Sequence, residues 1–287
     1  MKEAERTKIT LNLVDNTHKK NKDAGFLYVR RLVIEPSYSF IDYLSSGLEV
    51  SLIVSLDFTG SNGDPKSPSS LHYAGQFNEY EMATRAIGDI LSYYDADKMF
   101  PAYGFGAMMP TGQVSHCFAL NGNPSNPFSA GVDGILRDYR QALNTVQLYG
   151  PTNFAPTIQT AMAYANQAAM EQSQQNQKYM ILLIITDGEI TDMPDTIREI
   201  VKASTYPLSI VIVGVGSANF DSMEQLDGDG KALRSGSTVA VRDIVQFVPF
   251  RKYGQNHQAL ASETLREIPE QVVQYFKTKG IKPKNKM

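Results

Sequence analysis

Two hydrophobic rhythms alternate along the chain. Leu48-Glu-Val-Ser-Leu-Ile-Val-Ser-Leu56 is β-branched and nearly continuous, as expected of a strand buried on both faces. Tyr179-Met-Ile-Leu-Leu-Ile-Ile185 is the strongest such run, and Leu208-Ser-Ile-Val-Ile-Val213 is a third. Shorter strands are predicted at Pro101 to Phe105, Val114 to Ala119 and Val245 to Phe250, the last at an edge because Pro249 cannot donate to a ladder. Between these runs the period changes. Ala83, Ala86, Ile87, Ile90, Leu91 and Tyr94 recur at helical spacing, with Asn78 placed as the cap and Glu79 and Glu81 in the first turn. Val132, Ile135, Leu136, Tyr139, Leu143 and Val146 mark a second helix. Pro156 to Met170, Asp195 to Ala203 and Ser262 to Tyr275 give three more, the last interrupted or restarted at Pro269. Strands separated by helices need crossover connections. The pattern therefore predicts a doubly wound α/β domain, a mostly parallel sheet with helices on both faces.

The first 44 residues break this rhythm. Lys8 to Val14 and Gly25 to Ile34 read as two strands joined by the polar loop His18-Lys-Lys-Asn-Lys22, a hairpin that is marginal alone in water. The carboxyl end, from Lys277, reads as a polar, basic, frayed tail. With 27 basic against 30 acidic residues among 287, the net charge is −3, so no nucleic-acid partner is expected. The single cysteine, Cys117, excludes an intrachain disulfide framework and a multi-thiolate zinc site, and suits a reducing compartment. No secretory leader is read in MKEAERTKIT, and the longest apolar run, Met180 to Ile185, falls far short of the roughly 18 residues of a membrane span. The expected location is cytoplasmic, with membrane contact only peripheral.

In an open α/β sheet, ligands bind where the carboxyl ends of the strands diverge at a topological switch point. Three predicted loops deliver oxygen there. Asp57-Phe-Thr-Gly-Ser61 follows the first core strand, Gly150-Pro-Thr-Asn-Phe154 precedes the third helix, and Thr186-Asp-Gly-Glu-Ile-Thr-Asp192 follows the strongest strand. Either motif alone is as well read as a capped turn or a plain strand exit. Together they form an all-oxygen donor set suited to a hard divalent cation. The carboxylates of Asp57 and Asp187 would neutralise it, and the hydroxyls of Thr59, Ser61 and Thr152 would add neutral ligands. Few carboxylates favour magnesium over calcium.

These same residues carry a resemblance. Asp57-Phe-Thr-Gly-Ser-Asn-Gly-Asp-Pro65, Ser70-Leu-His-Tyr73, Tyr103-Gly-Phe-Gly106, Val146-Gln-Leu-Tyr-Gly-Pro-Thr-Asn153 and Ile184-Ile-Thr-Asp-Gly188 resemble the copine family. Val211 to Gly216 and Arg242 to Arg251 extend the likeness, which runs from about Tyr38 to Phe276. It implies a von Willebrand factor A-type, Rossmann-like domain with a metal-ion-dependent adhesion site. Asp57, Thr59, Ser61, Thr152 and Asp187 would be its five positions, holding Mg2+ or Mn2+. Thr59 stands where related integrin-type domains usually have serine. Copines place two C2 domains before this one, and residues 1–44 resemble the last hairpin of the second. The domain itself would occupy 45–279 and the basic tail 280–287. The family binds phospholipid in a calcium-dependent way through acidic C2 loops that have no counterpart here, so Ca2+ is expected only with those domains in a longer protein. The implied partners are proteins that offer an acidic side chain to the metal, with anionic phospholipid touched peripherally at the plasma membrane, in a signalling role.

Rival chemistries find little support. No Gly-x-Ser-x-Gly elbow, His-Glu-x-x-His or phosphate-binding Gly-x-x-x-x-Gly-Lys-[Ser/Thr] occurs. His72 reads as structural, Gly214-Val-Gly216 as a tight turn, and the lysines of 18–22 and 277–286 as solvated. A non-enzymatic binding module is therefore expected. The alternatives are a metal-dependent hydrolase and a ubiquitin-ligase-associated A domain, whose zinc module one cysteine cannot build.

Overall fold

The structure is a computed structural model that describes residues 9–15, 22–29, 36–95, 97–228, 232–253 and 256–284. The chain divides into two compact units, Met1–Ser37 and Tyr38–Met287. In the first, β1 (Ile9–Asp15) and β2 (Lys22–Val29) pair antiparallel, with an irregularity between Leu13 and Val14. The loop expected around His18 and the end of the second strand beyond Val29 lie outside the described residues.

The larger unit opens with α1 (Phe40–Ser45) and β3 (Glu49–Asp57), followed by α2 (Glu79–Leu91) and β4 (Met99–Phe105). Four short strands come next: β5 (Ala107–Met108), β6 (Val114–Ser115), β7 (Phe118–Ala119) and β8 (Phe128–Ala130). Then follow α3 (Gly131–Thr145), β9 (Gln147–Leu148), α4 (Ala155–Glu171), β10 (Lys178–Thr186), α5 (Met193–Ala203) and β11 (Leu208–Gly214). The chain continues through α6 (Asp221–Asp227), the small ladder β12 (Arg234–Ser235) and β13 (Thr238–Val239), and β14 (Val245–Pro249). It closes with α7 (Phe250–Tyr253), α8 (His257–Thr264) and α9 (Ile268–Thr278).

The main sheet runs β14-β11-β10-β3-β4-β7, with β8 also on β4. Strands β14, β11, β10, β3 and β4 are parallel; β7 and β8 pair antiparallel with β4. Alternate side chains of the three central strands enter two separate cores, which is why their sequences are apolar at nearly every position. Leu52, Val54, Leu56, Ile181, Leu183, Ile185, Val211 and Val213 pack with α1, α2, α3, α8 and α9. Ile53, Leu182, Ile184, Ile210 and Ile212 pack with α4, α5 and α6. The chain winds from β3 to β4 on one side and from β10 through β11 to β14 on the other. The switch point therefore lies between β3 and β10, with Leu56 level with Ile185.

Several boundaries differ from the sequence pattern. The run Val114 to Ala119 is two strands, because the chain changes partners: β6 pairs with β5 and β7 with β4. Pro269 lies in the first turn of α9, where its missing N–H costs nothing, so it starts a helix rather than kinking one. The larger unit begins at Tyr38 rather than at residue 45. Tyr43 of α1 is buried, stacks on Phe276 at 4.9 Å and donates its hydroxyl to Ile281 O. The expected frayed tail is docked as far as it is described. Lys282 O accepts from Gln174 and Gln177, and Lys284 binds Ser46 Oγ and Gly47 O.

Candidate metal centre

Asp57 ends β3, and Asp187 follows the last residue of β10, so two carboxylates meet where the sheet diverges. Asp57 is fully buried and its oxygens divide the neighbouring donors. Oδ1 accepts from Thr59 N at 2.7 Å and Thr59 Oγ1 at 2.6 Å, and Oδ2 accepts from Thr186 Oγ1 at 2.6 Å. Ser61 Oγ donates to Asp187 Oδ1 at 2.9 Å. The two hydroxyls also lie 3.0 Å from each other, Thr59 Oγ1 to Ser61 Oγ, within hydrogen-bond distance, and either can donate.

That spacing carries chemical meaning. In an octahedron with metal–oxygen bonds of about 2.1 Å, adjacent ligand oxygens lie about 3.0 Å apart; bonds of about 2.4 Å spread them to about 3.4 Å. The hydroxyl pair has the spacing of a hydrogen bond, which is also that of the edge of a magnesium-sized coordination shell. The electrostatics fit a cation as well. Burial raises the Asp57 carboxyl above its ordinary range, against the opposing donors of Thr186 and Thr59. Burial first, and then the Asp57 charge, push Asp187 up to about 7. No Lys, Arg or His ion pair reaches either acid among the described residues. Two buried acids without a counter-charge cost several kcal/mol, on the order of the penalty for each desolvated ion. No group of three or more His, Cys, Asp or Glu side chains that could hold a metal ion occurs among the described residues, so a cation here would need oxygen donors beyond the two carboxylates.

Thr152 is buried on the neighbouring loop, where its backbone pairs with Thr191 through N to Oγ1 at 3.2 Å and O to N at 2.8 Å. The approach to this loop pairs with the Thr59 turn, where Gly60 N donates to Tyr149 O at 2.8 Å. A methyl group on Gly106 would lie 2.4 Å from Thr59 Cγ2 and 3.5 Å from Pro151 O. No hydrogen bond joins the Thr152 hydroxyl to the other four among the described residues. The structure thus links Asp57, Thr59, Ser61 and Asp187 in one chain of contacts and sets the Thr152 loop beside it. The extra methyl of Thr59 occupies the space that Gly106 leaves open, which turns its hydroxyl toward Asp57.

Three groups that lie within the quoted motifs, but to which the sequence assigned no ligand role, complete the frame. Thr186 bridges the strand ends. Asp192 accepts from Phe154 N and Ala155 N, both at 2.9 Å, so the loop after β10 caps α4 and holds the Thr152 loop to the Asp187 loop. Asn62 lies beneath the Thr59 turn, with Nδ2 donating to Thr59 O at 3.1 Å. His72 is buried and structural. It stacks on Tyr80 at 4.3 Å and meets Tyr139 Oη at 2.6 Å, and burial lowers it to about 3. Burial likewise pushes the Cys117 thiol up, away from reactivity. Beside the site runs a groove of about 990 Å³ that begins at Gly60 and is bordered by Lys66, Tyr73, Arg140, Leu143 and Leu148.

The copine family profile matches residues 70–284. Copine-A of Dictyostelium discoideum is 48% identical over 278 residues, covering 94% of this chain and 46% of that protein. The chain belongs to the copine family. It spans about half the length of that relative. Among solved structures, manganese-loaded Plasmodium vivax TRAP protein is similar over 75% of this copine chain and 74% of its own, at 10% identity and a TM-score of 0.46. Proximal thread matrix protein 1 of the mussel byssus is similar over 75% of this chain and 48% of its own, at 13% identity and a TM-score of 0.43. No helix among the described residues is long and apolar enough to cross a membrane.

Proposed function

We propose that this copine-family chain is a non-catalytic, divalent-cation-dependent protein-binding module. Asp57, Thr59, Ser61, Thr152 and Asp187 would hold Mg2+ or Mn2+, and an Asp or Glu of a partner would complete the shell. The observation that carries this reading is the pair of hydroxyls, 3.0 Å apart, each bonded to a buried carboxylate. When bound, the cation supplies a positive, oxygen-seeking centre at the end of the sheet. Asp57 and Asp187 would offset its charge, Thr59 and Ser61 would offer it hydroxyl oxygens, and Thr186 keeps Asp57 oriented. With both carboxylates engaged, neither remains to take a proton from water, which supports binding rather than hydrolysis. The groove beside Gly60 offers room for partner residues that flank the acid.

We place the module in the cytoplasm, where partners are brought to the plasma membrane by calcium-dependent lipid binding in the longer copine architecture. The amino-terminal segment, read in the sequence as residues 1–44, would belong to the C2 domain that serves this step. Isothermal titration with Mg2+ and Mn2+ tests the centre. Wild type should bind one ion, and Asp57→Ala with Asp187→Ala should abolish the heat; unchanged affinity in the double variant defeats the assignment. Liposome sedimentation with and without calcium tests the lipid step, which requires C2 loops, so this chain alone should stay in the supernatant in both.

A further inference from the structure

Asn62 ends the single 3-10 turn Gly60–Asn62 and is 2% exposed. Its Nδ2 donates to Thr59 O at 3.1 Å, lies 3.4 Å from Thr59 Oγ1 and makes a long contact of 3.5 Å with Asp57 Oδ1. Its Oδ1 accepts from the Tyr80 hydroxyl at 2.6 Å. Tyr80 is fully buried on α2, and the charges of Asp57 and Asp187 add to burial in keeping its phenol protonated. A protonated phenol at this distance donates, so it fixes which end of the amide faces the strand. Flipping the amide would set oxygen against the Thr59 carbonyl and the Asp57 carboxylate.

The first turn of α2 is itself held from three sides. Asn78 and Glu81 form a capping box, Arg140 of α3 pairs with Glu81, and Glu79 accepts from Gly216 N at 2.8 Å. His72 stacks on the Tyr80 ring. Tyr80 is therefore a rigid post beneath the turn that carries the two hydroxyls.

We infer that Asn62 and Tyr80 are positioning residues for the cation centre: Tyr80 orients the Asn62 amide, and the amide holds Thr59 and Asp57 in ligating geometry. This rests on the metal reading above. Outer groups of this kind change metal affinity by about 10–100-fold when removed.

The test is calorimetric Mn2+ titration of Tyr80→Phe, Asn62→Ala, the double variant, Tyr139→Phe and Asp57→Ala, with metal-free thermal unfolding in EDTA alongside. Tyr80→Phe and Asn62→Ala should each weaken Mn2+ by about tenfold or more. The double variant should be no weaker than Asn62→Ala, because the phenol acts through the amide. Tyr139→Phe removes an equally buried hydroxyl bonded to His72 and Asn78, so it should lower the unfolding temperature and leave Mn2+ affinity unchanged. Affinities within twofold of wild type for Tyr80→Phe and Asn62→Ala, with Asp57→Ala inactive, overturn the positioning role and leave the metal reading intact. Losses that multiply in the double variant, or a Tyr139→Phe loss equal to that of Tyr80→Phe, also overturn it. Wild-type affinity in Asp57→Ala defeats the metal reading itself. Tyr80→Phe keeps the ring volume, and the test stands on it alone if Asn62→Ala does not fold.

Discussion

At the residue scale, the two acids were legible because each follows a long apolar strand, where a side chain has no structural reason to be ionised. The support beneath them was not. Gly106 ends the quoted run Tyr103-Gly-Phe-Gly106 just past a predicted strand, but its role depends on a contact with Thr59 far away in sequence. A side chain there must displace the Thr59 methyl, and its φ of +76° already disfavours any residue with a Cβ. Gly106→Ala should therefore weaken Mg2+ binding about tenfold or more by calorimetry, the scale of lost outer support. Gly106→Ala combined with Thr59→Ser, which removes the clashing methyl, should recover part of that loss. Asn62 was equally hidden, since it works through a backbone carbonyl and a tyrosine on another element.

At the element scale, β3, β10 and β11 could be read because burial on both faces leaves no polar alternation to misread. Helices α2 and α3 showed their single apolar faces just as plainly. The two-residue strands β5, β9, β12 and β13 and the helix α1 were missed because pairing with distant backbone, rather than local pattern, defines them. Helix α4 shows a different kind of gap. Its cap residue, Phe154, supplies no side-chain hydrogen bond, and Asp192 from the next crossover accepts its first N–H groups instead. A remote cap has no local sequence signature. Asp192→Ala should cost about 1–2 kcal/mol in urea unfolding, the range of a lost N-cap. It should also loosen the Thr152 loop, so Mg2+ affinity should fall further than the stability loss alone explains.

At the scale of the whole molecule, the site stores an electrostatic cost that the proposed cation would offset. Asp187 rises from 3.8 to about 7 on folding, so the folded state holds this proton more tightly than the unfolded state. The Asp187 contribution to the stability of the metal-free protein should fall as pH rises from about 4 to about 7. His72 contributes the opposite slope. Its folded value of about 3 lies below 6.5, so its contribution is present above pH 6.5 and is lost as pH falls toward 3. Asp187→Asn separates the two. In EDTA at pH 8 this variant should melt above wild type, and near pH 5 the two should converge. Mg2+ should stabilise wild type more at pH 8 than at pH 5, because protons compete for the same carboxylates, and should leave the variant's melting temperature almost unmoved.

Anomalous diffraction from crystals grown with Mn2+ locates the ion without inference. A single peak at the carboxyl ends of β3 and β10, within coordination distance of Thr59 Oγ1, Ser61 Oγ and Thr152 Oγ1 and facing Asp57 and Asp187, is the expected result. Manganese bound elsewhere on the molecule, or a Thr152 hydroxyl turned away from an ion held by other groups, would contradict the proposed centre.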